Sequence, residues 1–137
     1  MTTEKDIMHI TPRVEALAAL CRQHDKIDAQ LYKEYDVKRG LRDLNGEGVL
    51  AGLTNISDII SKKEVDGKLV PCDGELYYRG YKINELVQGF MHDGRKGYEE
   101  VAYLLLFGEL PDAKRLSEFK NLLAQGRTLP TNFRRDV

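Results

Sequence analysis

Apolar and polar residues follow a helical period over much of the chain. After an arm at residues 1–10, Thr11-Pro12 reads as an N-cap followed by proline at the first helical position. Leu17, Leu20, His24, Ile27 and Leu31 then recur at spacings of three and four. This pattern predicts one amphipathic helix from residue 12 to about Tyr35, which needs something to lie against. The register changes in "VKRGLRDLNGEGVLAGLTNIS", where Gly40, Gly46, Gly48 and Gly52 interrupt any helix. Val49-Leu50-Ala51 and Leu53-Thr54-Asn55-Ile56 suit short strands. "EVDGKLVPCDGELYY" adds two turn signals, Asp66-Gly67 and Asp73-Gly74. Residues 49–80 therefore read as a small, irregular antiparallel β patch, too small to be a domain alone.

Helical spacing returns with Ile83, Leu86, Val87 and Phe90, a stripe ending near Gly89 or Gly94. "GYEEVAYLLLFGELP" predicts a helix over Tyr98–Phe107, closed by Gly108 with Pro111 shortly after. Val101, Ala102, Leu104, Leu105, Leu106 and Phe107 make it apolar on nearly every face, the pattern of a helix buried in a larger body. Asp112 reads as the N-cap of a helix to about Gln125, with Leu116, Phe119, Leu122 and Leu123 as its buried side and Gly126 as its stop. "TLPTNF" opens one more element. The expected fold class is mainly α, with the small β patch near its start and no internal repeat.

Composition narrows the class. A chain of 137 residues makes one modest domain, and 42% apolar with 31% charged residues is a foldable balance, not a disordered one. The net charge of −1, from 21 basic and 22 acidic residues, gives no push toward nucleic acid or an anionic membrane. No apolar run approaches the roughly 20 residues that span a bilayer. "MTTEKDIMHITPR" lacks an apolar signal core, so a cytoplasmic setting is expected. Cys21 and Cys72 lie far apart in different predicted elements, which favours reduced thiols over a disulfide.

Candidate chemistry is sparse. His9, His24, His92 and the two cysteines show no metal-ligand spacing. His24 sits on an apolar helix face and reads as a packed histidine. His92-Asp93 is a base with its orienter on paper, but adjacent side chains diverge. "GLRDLNGEG" has neither the Walker spacing nor the dinucleotide fingerprint. Lys38, Arg39 and Arg42 form either an anion cradle or a solvated basic loop. Glu99-Glu100 has no visible partner for paired-carboxylate work. Tyr77, Tyr78 and Tyr81 either stack a ligand or fill a corner, hydroxyls tied to backbone. No catalytic, substrate-binding or metal set emerges, and no cofactor is expected.

The order of motifs says more. "GLRDLNGEGVLAGLTNIS", "DGELYYRGYKINELV", "YEEVAYLLLFGELP" and a helix with "LSEFKNLL" follow one another in a way that resembles the N-terminal part of citrate synthases. The likeness covers about residues 39–130, and the helix at 12–35 resembles the extra leading helix of some bacterial members. It implies an arm and leading helix at 1–38, then the N-terminal part of the large domain at 39–137. Tyr78, Arg79, Gly80 and Tyr81 would form a structural corner between the β patch and the helices. Gly80 would permit the bend, and Arg79 would satisfy carbonyls or a carboxylate. The resemblance places the catalytic histidines and aspartate, the dicarboxylate-binding arginines and the coenzyme A site in later parts of the enzyme, so none is carried onto this chain. It also implies a partner in the rest of the same polypeptide and a homodimer when complete. The reaction would be condensation of acetyl-CoA with oxaloacetate, with methylcitrate synthase or a non-catalytic interaction module as alternatives.

Overall fold

Thr11 caps the first helix as its sequence predicts: its hydroxyl accepts from the Val14 amide at 3.3 Å, and Pro12 occupies the first turn. The computed structural model describes residues 10–43, 46, 48–127, 129 and 133. The arm before Ile10, Leu44, Asn45 and Glu47 of the glycine-rich stretch, and most of the element expected at "TLPTNF" lie outside the described residues.

Helix α1 spans Pro12–His24 and α2 spans Ala29–Glu34, so the single helix expected to Tyr35 is two. The break has a local cause. The Asp28 carboxylate accepts from the Gln30 amide at 2.9 Å, starting a new helix instead of continuing the old one. The short strands expected within 49–56 are absent. An isolated bridge pairs Arg42 with Gly48 just before that stretch, and the sheet begins at Ser57.

The sheet is an antiparallel meander of β1 (Ser57–Val65), β2 (Lys68–Tyr78) and β3 (Tyr81–Lys82). Asp66 (φ 51) and Gly67 (φ 74) make the tight turn between β1 and β2. Asp73-Gly74, read as a second turn, lies inside β2 instead. Ile60 pairs with Glu75 and Lys62 with Pro71, so Cys72, Asp73 and Gly74 face Ser61 across a bulge. Pro71 is tolerated because β3 pairs only with Tyr77 and Tyr78, leaving its other side free of a described strand.

Helices α3 (Ile83–His92), α4 (Tyr98–Phe107) and α5 (Ala113–Gln125) match the predicted spans closely. Gly108 closes α4 in the left-handed region, and the Asp112 carboxylate caps α5 through the Arg115 amide at 2.8 Å. The core sits between α1, α4 and α5. Tyr103, Phe107 and Phe119 pack tilted or edge-on with centroids 4.5, 5.4 and 5.8 Å apart. Leu17, Leu20 and Cys21 of α1 close over this cluster. Leu104, fully buried, and Leu86 complete the set of buried apolar side chains among the described residues.

Candidate functional site

The stretch Tyr78–Tyr81 is a two-residue hairpin turn. Tyr78 pairs with Tyr81 and Tyr77 with Lys82, while Arg79 (φ 48) and Gly80 (φ 85) both lie in the left-handed region. Gly80 adopts that conformation freely; Arg79 does so at a cost of about 1–2 kcal/mol. The Arg79 amide donates to the Ile56 carbonyl at 2.8 Å. Its guanidinium reaches into the helical part of the molecule. Nε and Nη2 donate to the Leu105 carbonyl at 3.3 and 3.0 Å. Nη1 donates to the carbonyls of His24 at 3.1 Å and Asn55 at 3.3 Å.

Two of those acceptors share a property. Leu105 lies in the last turn of α4 and His24 ends α1, where carbonyls have no helical partner and the dipole is negative. One guanidinium therefore caps two helix C-termini. Asn55 assists, its Nδ2 donating to the His24 carbonyl at 3.0 Å. The same junction explains Gly108: a Cβ there would come within 2.7 Å of His24 Nδ1, and its φ of 79 disfavours any other residue. His24 is thus a half-buried packing residue against α4.

A second cluster lies on the sheet. Glu75 accepts from the Tyr77 hydroxyl at 2.7 Å and from Lys63 at 3.1 Å, with Lys82 at 3.4 Å. These partners, Tyr77 foremost, hold the Glu75 carboxyl well below its ordinary 4.5, at about 2. The same hydrogen bonds push Tyr77 and Lys63 up. A 240 Å³ hollow beside the corner is lined by Thr54, Asn55, Ser57, Asp58, Tyr77 and Arg79 among others. It brings no acid–base pair to a common point.

The remaining sequence candidates are scattered. Lys38 pairs with Asp36, Arg42 donates to the Gly46 carbonyl at 2.7 Å, and Arg39 is exposed, so the three do not converge on an anion. His92 is exposed and Asp93 faces Arg95 at 3.0 Å. Glu99 and Glu100, read as having no partner for paired-carboxylate work, face basic side chains: Arg127 at 3.9 Å for Glu99, and Arg95 for Glu100. Cys21 and Cys72 are free thiols. No group of three metal-type side chains occurs among the described residues, and no described helix is long and apolar enough to cross a membrane. The Glu75 cluster went unread in the sequence. Glu75 and Tyr77 share a strand face by their spacing of two, but Lys63 joins them only because of the bulge.

Comparison with known proteins places the chain. A family model described as "Citrate synthase, C-terminal domain" matches residues 40–137. The chain is 38% identical to 2-methylcitrate synthase 2 of Corynebacterium glutamicum over 84 residues, covering 61% of this chain and 16% of that protein. It is 32% identical to the glyoxysomal citrate synthase of Cucurbita maxima over 102 residues, covering 72% and 18%. It is 42% identical to 2-methylcitrate synthase of Shewanella oneidensis over 55 residues, covering 40% and 13%. The chain thus spans less than a fifth of each of these relatives. No solved structure matches it.

Proposed function

The chain belongs to the citrate synthase family, and on that premise we propose that it is the N-terminal portion of a bacterial-type citrate synthase. The complete protein condenses acetyl-CoA with oxaloacetate, releasing citrate and coenzyme A as a step of the tricarboxylic acid cycle. The support is the run of motifs from "GLRDLNGEG" through "YYRGY" to "EEVAYLLLFGELP", in family order within the matched residues 40–137. These 137 residues supply scaffold, not chemistry. The Arg79 corner is structural: its guanidinium donors are directed to carbonyls at Leu105, His24 and Asn55. Removal of a methyl proton from the thioester, attack of the enol on the keto carbon and thioester hydrolysis fall to residues elsewhere in the enzyme. The complete protein is a homodimer without a metal or bound cofactor. A reducing cytoplasm suits its two free thiols.

A second reading rests on a specific observation. Relatives named 2-methylcitrate synthase match as strongly as those named citrate synthase, so propionyl-CoA is the alternative acyl donor. Coenzyme A release from acetyl-CoA or propionyl-CoA with oxaloacetate tests both. We expect no turnover above the uncatalysed rate from the 137-residue chain, and turnover from the complete coding sequence. The ratio of kcat/KM for the two thioesters assigns the donor. Release by the purified short chain would overturn the scaffold reading. Inactivity of the complete, folded protein on both thioesters would favour a non-catalytic interaction module.

A further inference from the structure

Helix α1 covers the core without sinking into it. Leu17, Leu20 and Cys21 pack against the Tyr103–Phe107–Phe119 cluster, yet no residue of α1 is itself buried. A hollow of 260 Å³ remains beside the helix, lined by Arg13, Leu17 and Leu20 from α1 and by Tyr103, Arg115 and Phe119 from α4 and α5. Well-packed interiors leave few voids of that size, so α1 bridges a gap instead of filling it. Its two ends, about 20 Å apart, are each fastened by an arginine. At the start, Arg13 Nη2 pairs with Glu118 Oε2 at 2.9 Å, the side chains 41% and 43% exposed. At the finish, the His24 carbonyl accepts from Arg79 Nη1 at 3.1 Å and from Asn55 Nδ2 at 3.0 Å.

We propose that α1 is a strap: it lifts from α4 and α5 at its Arg13 end, pivots at His24, and opens the aromatic cluster to solvent while the rest stays folded. The unequal fastenings set the direction. A half-exposed ion pair is worth little and is screened by salt. The His24 end is held by two donors on one carbonyl, and Arg79 is tied in turn to the carbonyls of Leu105 and Asn55. The His24 ring also lies close on Gly108, where a Cβ would come within 2.7 Å of Nδ1. The backbone permits the motion. The Asp28 carboxylate starts α2 as a separate helix, so α1 lifts without dragging a continuous rod. Between its ends α1 makes only a few half-buried apolar contacts, the property of segments that open at less than the cost of global unfolding. The strap thereby links ionic strength to exposure of the core rings. This inference stands independently of the condensation chemistry.

Cys21, packed against the cluster, reports the opening when a bulky maleimide labels it in a Cys72→Ser chain. Labelling should be slower than in the unfolded chain. It should proceed through an opening that costs less than global unfolding and depends less steeply on urea, because less surface is exposed. Glu118→Gln should speed labelling about two- to fivefold, with the urea midpoint for global unfolding nearly unchanged. Added salt should speed labelling in the parent and leave the Glu118→Gln chain unaffected. Labelling that tracks global unfolding in urea would overturn the strap, as would labelling at the unfolded-chain rate without urea. Indifference of the labelling rate to Glu118→Gln, or an equal salt response in both chains, would overturn the Arg13 end as the one that releases.

Discussion

Arg79 carries the most structural consequence of any single side chain in the described fold. Its strained backbone is offset by guanidinium bonds to carbonyls of α1, α4 and the segment before β1. Arg79→Ala keeps the strained backbone and loses those bonds, so destabilisation of about 2–4 kcal/mol is expected in urea unfolding. Arg79→Lys should recover only a minor part, because an ammonium cannot present the planar fork that reaches two helix ends. Full recovery by lysine would show that charge alone suffices. Gly80, with φ 85, makes the second test. Gly80→Val should cost about 1–3 kcal/mol through backbone strain. Lys82→Ala should cost under about 1 kcal/mol, its partly exposed ion pair with Glu75 being screened. Lys82 is partly buried and paired with Glu75, but its loss stays small. Equal shifts in denaturation midpoint for the two variants would contradict this ranking.

At the scale of elements, the hairpin and the helices depend on different forces. The hairpin is largely exposed, so its side-chain pairs matter in proportion. Glu75 has a folded pKa of about 2, below its ordinary 4.5. A depressed carboxyl contributes stability that is fully present above the unfolded value and is lost as pH falls through the folded one. The cluster should therefore hold through neutral pH and fail between roughly pH 5 and 2. Glu75→Gln should flatten the acid limb of a stability–pH profile over that window; an unchanged limb would remove Glu75 from it. Lys63 and Tyr77 are shifted up, so their contribution is lost only as pH rises through those raised values. The helices rely on caps and apolar contact. Asp112→Ala should cost about 1 kcal/mol of α5 stability, seen in the thermal midpoint.

For the whole molecule the limiting quantity is core size. The buried apolar side chains of the described residues are Leu86, Tyr103, Leu104, Phe107 and Phe119. A core this small leaves little reserve. Phe119 touches both other core rings. Phe119→Ala should therefore cost about 3–5 kcal/mol, read from urea unfolding. Leu122→Ala on the same helix, where the side chain is only partly buried, should cost less. Comparable losses for the two would show that the aromatic triad is not the centre of stability.

What the amino-acid sequence determined by itself was local. Thr11-Pro12, Gly108 and Asp112 set helix ends through side-chain and backbone preferences that act within a few residues. The turn at Asp66-Gly67, the spans of α3, α4 and α5, and the mainly α character follow from the same short-range physics, and ordered motifs made the family legible. Tertiary structure decided the rest. Asp73-Gly74 became a bulge instead of a turn because β2 continues past it in register with β1. The break at residues 25–28 is local, but what the exposed end of α1 meets is not: its His24 carbonyl accepts from Arg79 and Asn55. Which face of α4 is buried could not be read from a helix apolar all round; contact with α1 and α5 chose it. The role of Arg79 likewise depends on acceptors 55 and 26 residues away. Spacing along the chain does not encode such distances, because loop closure brings the partners together only after the helices have packed.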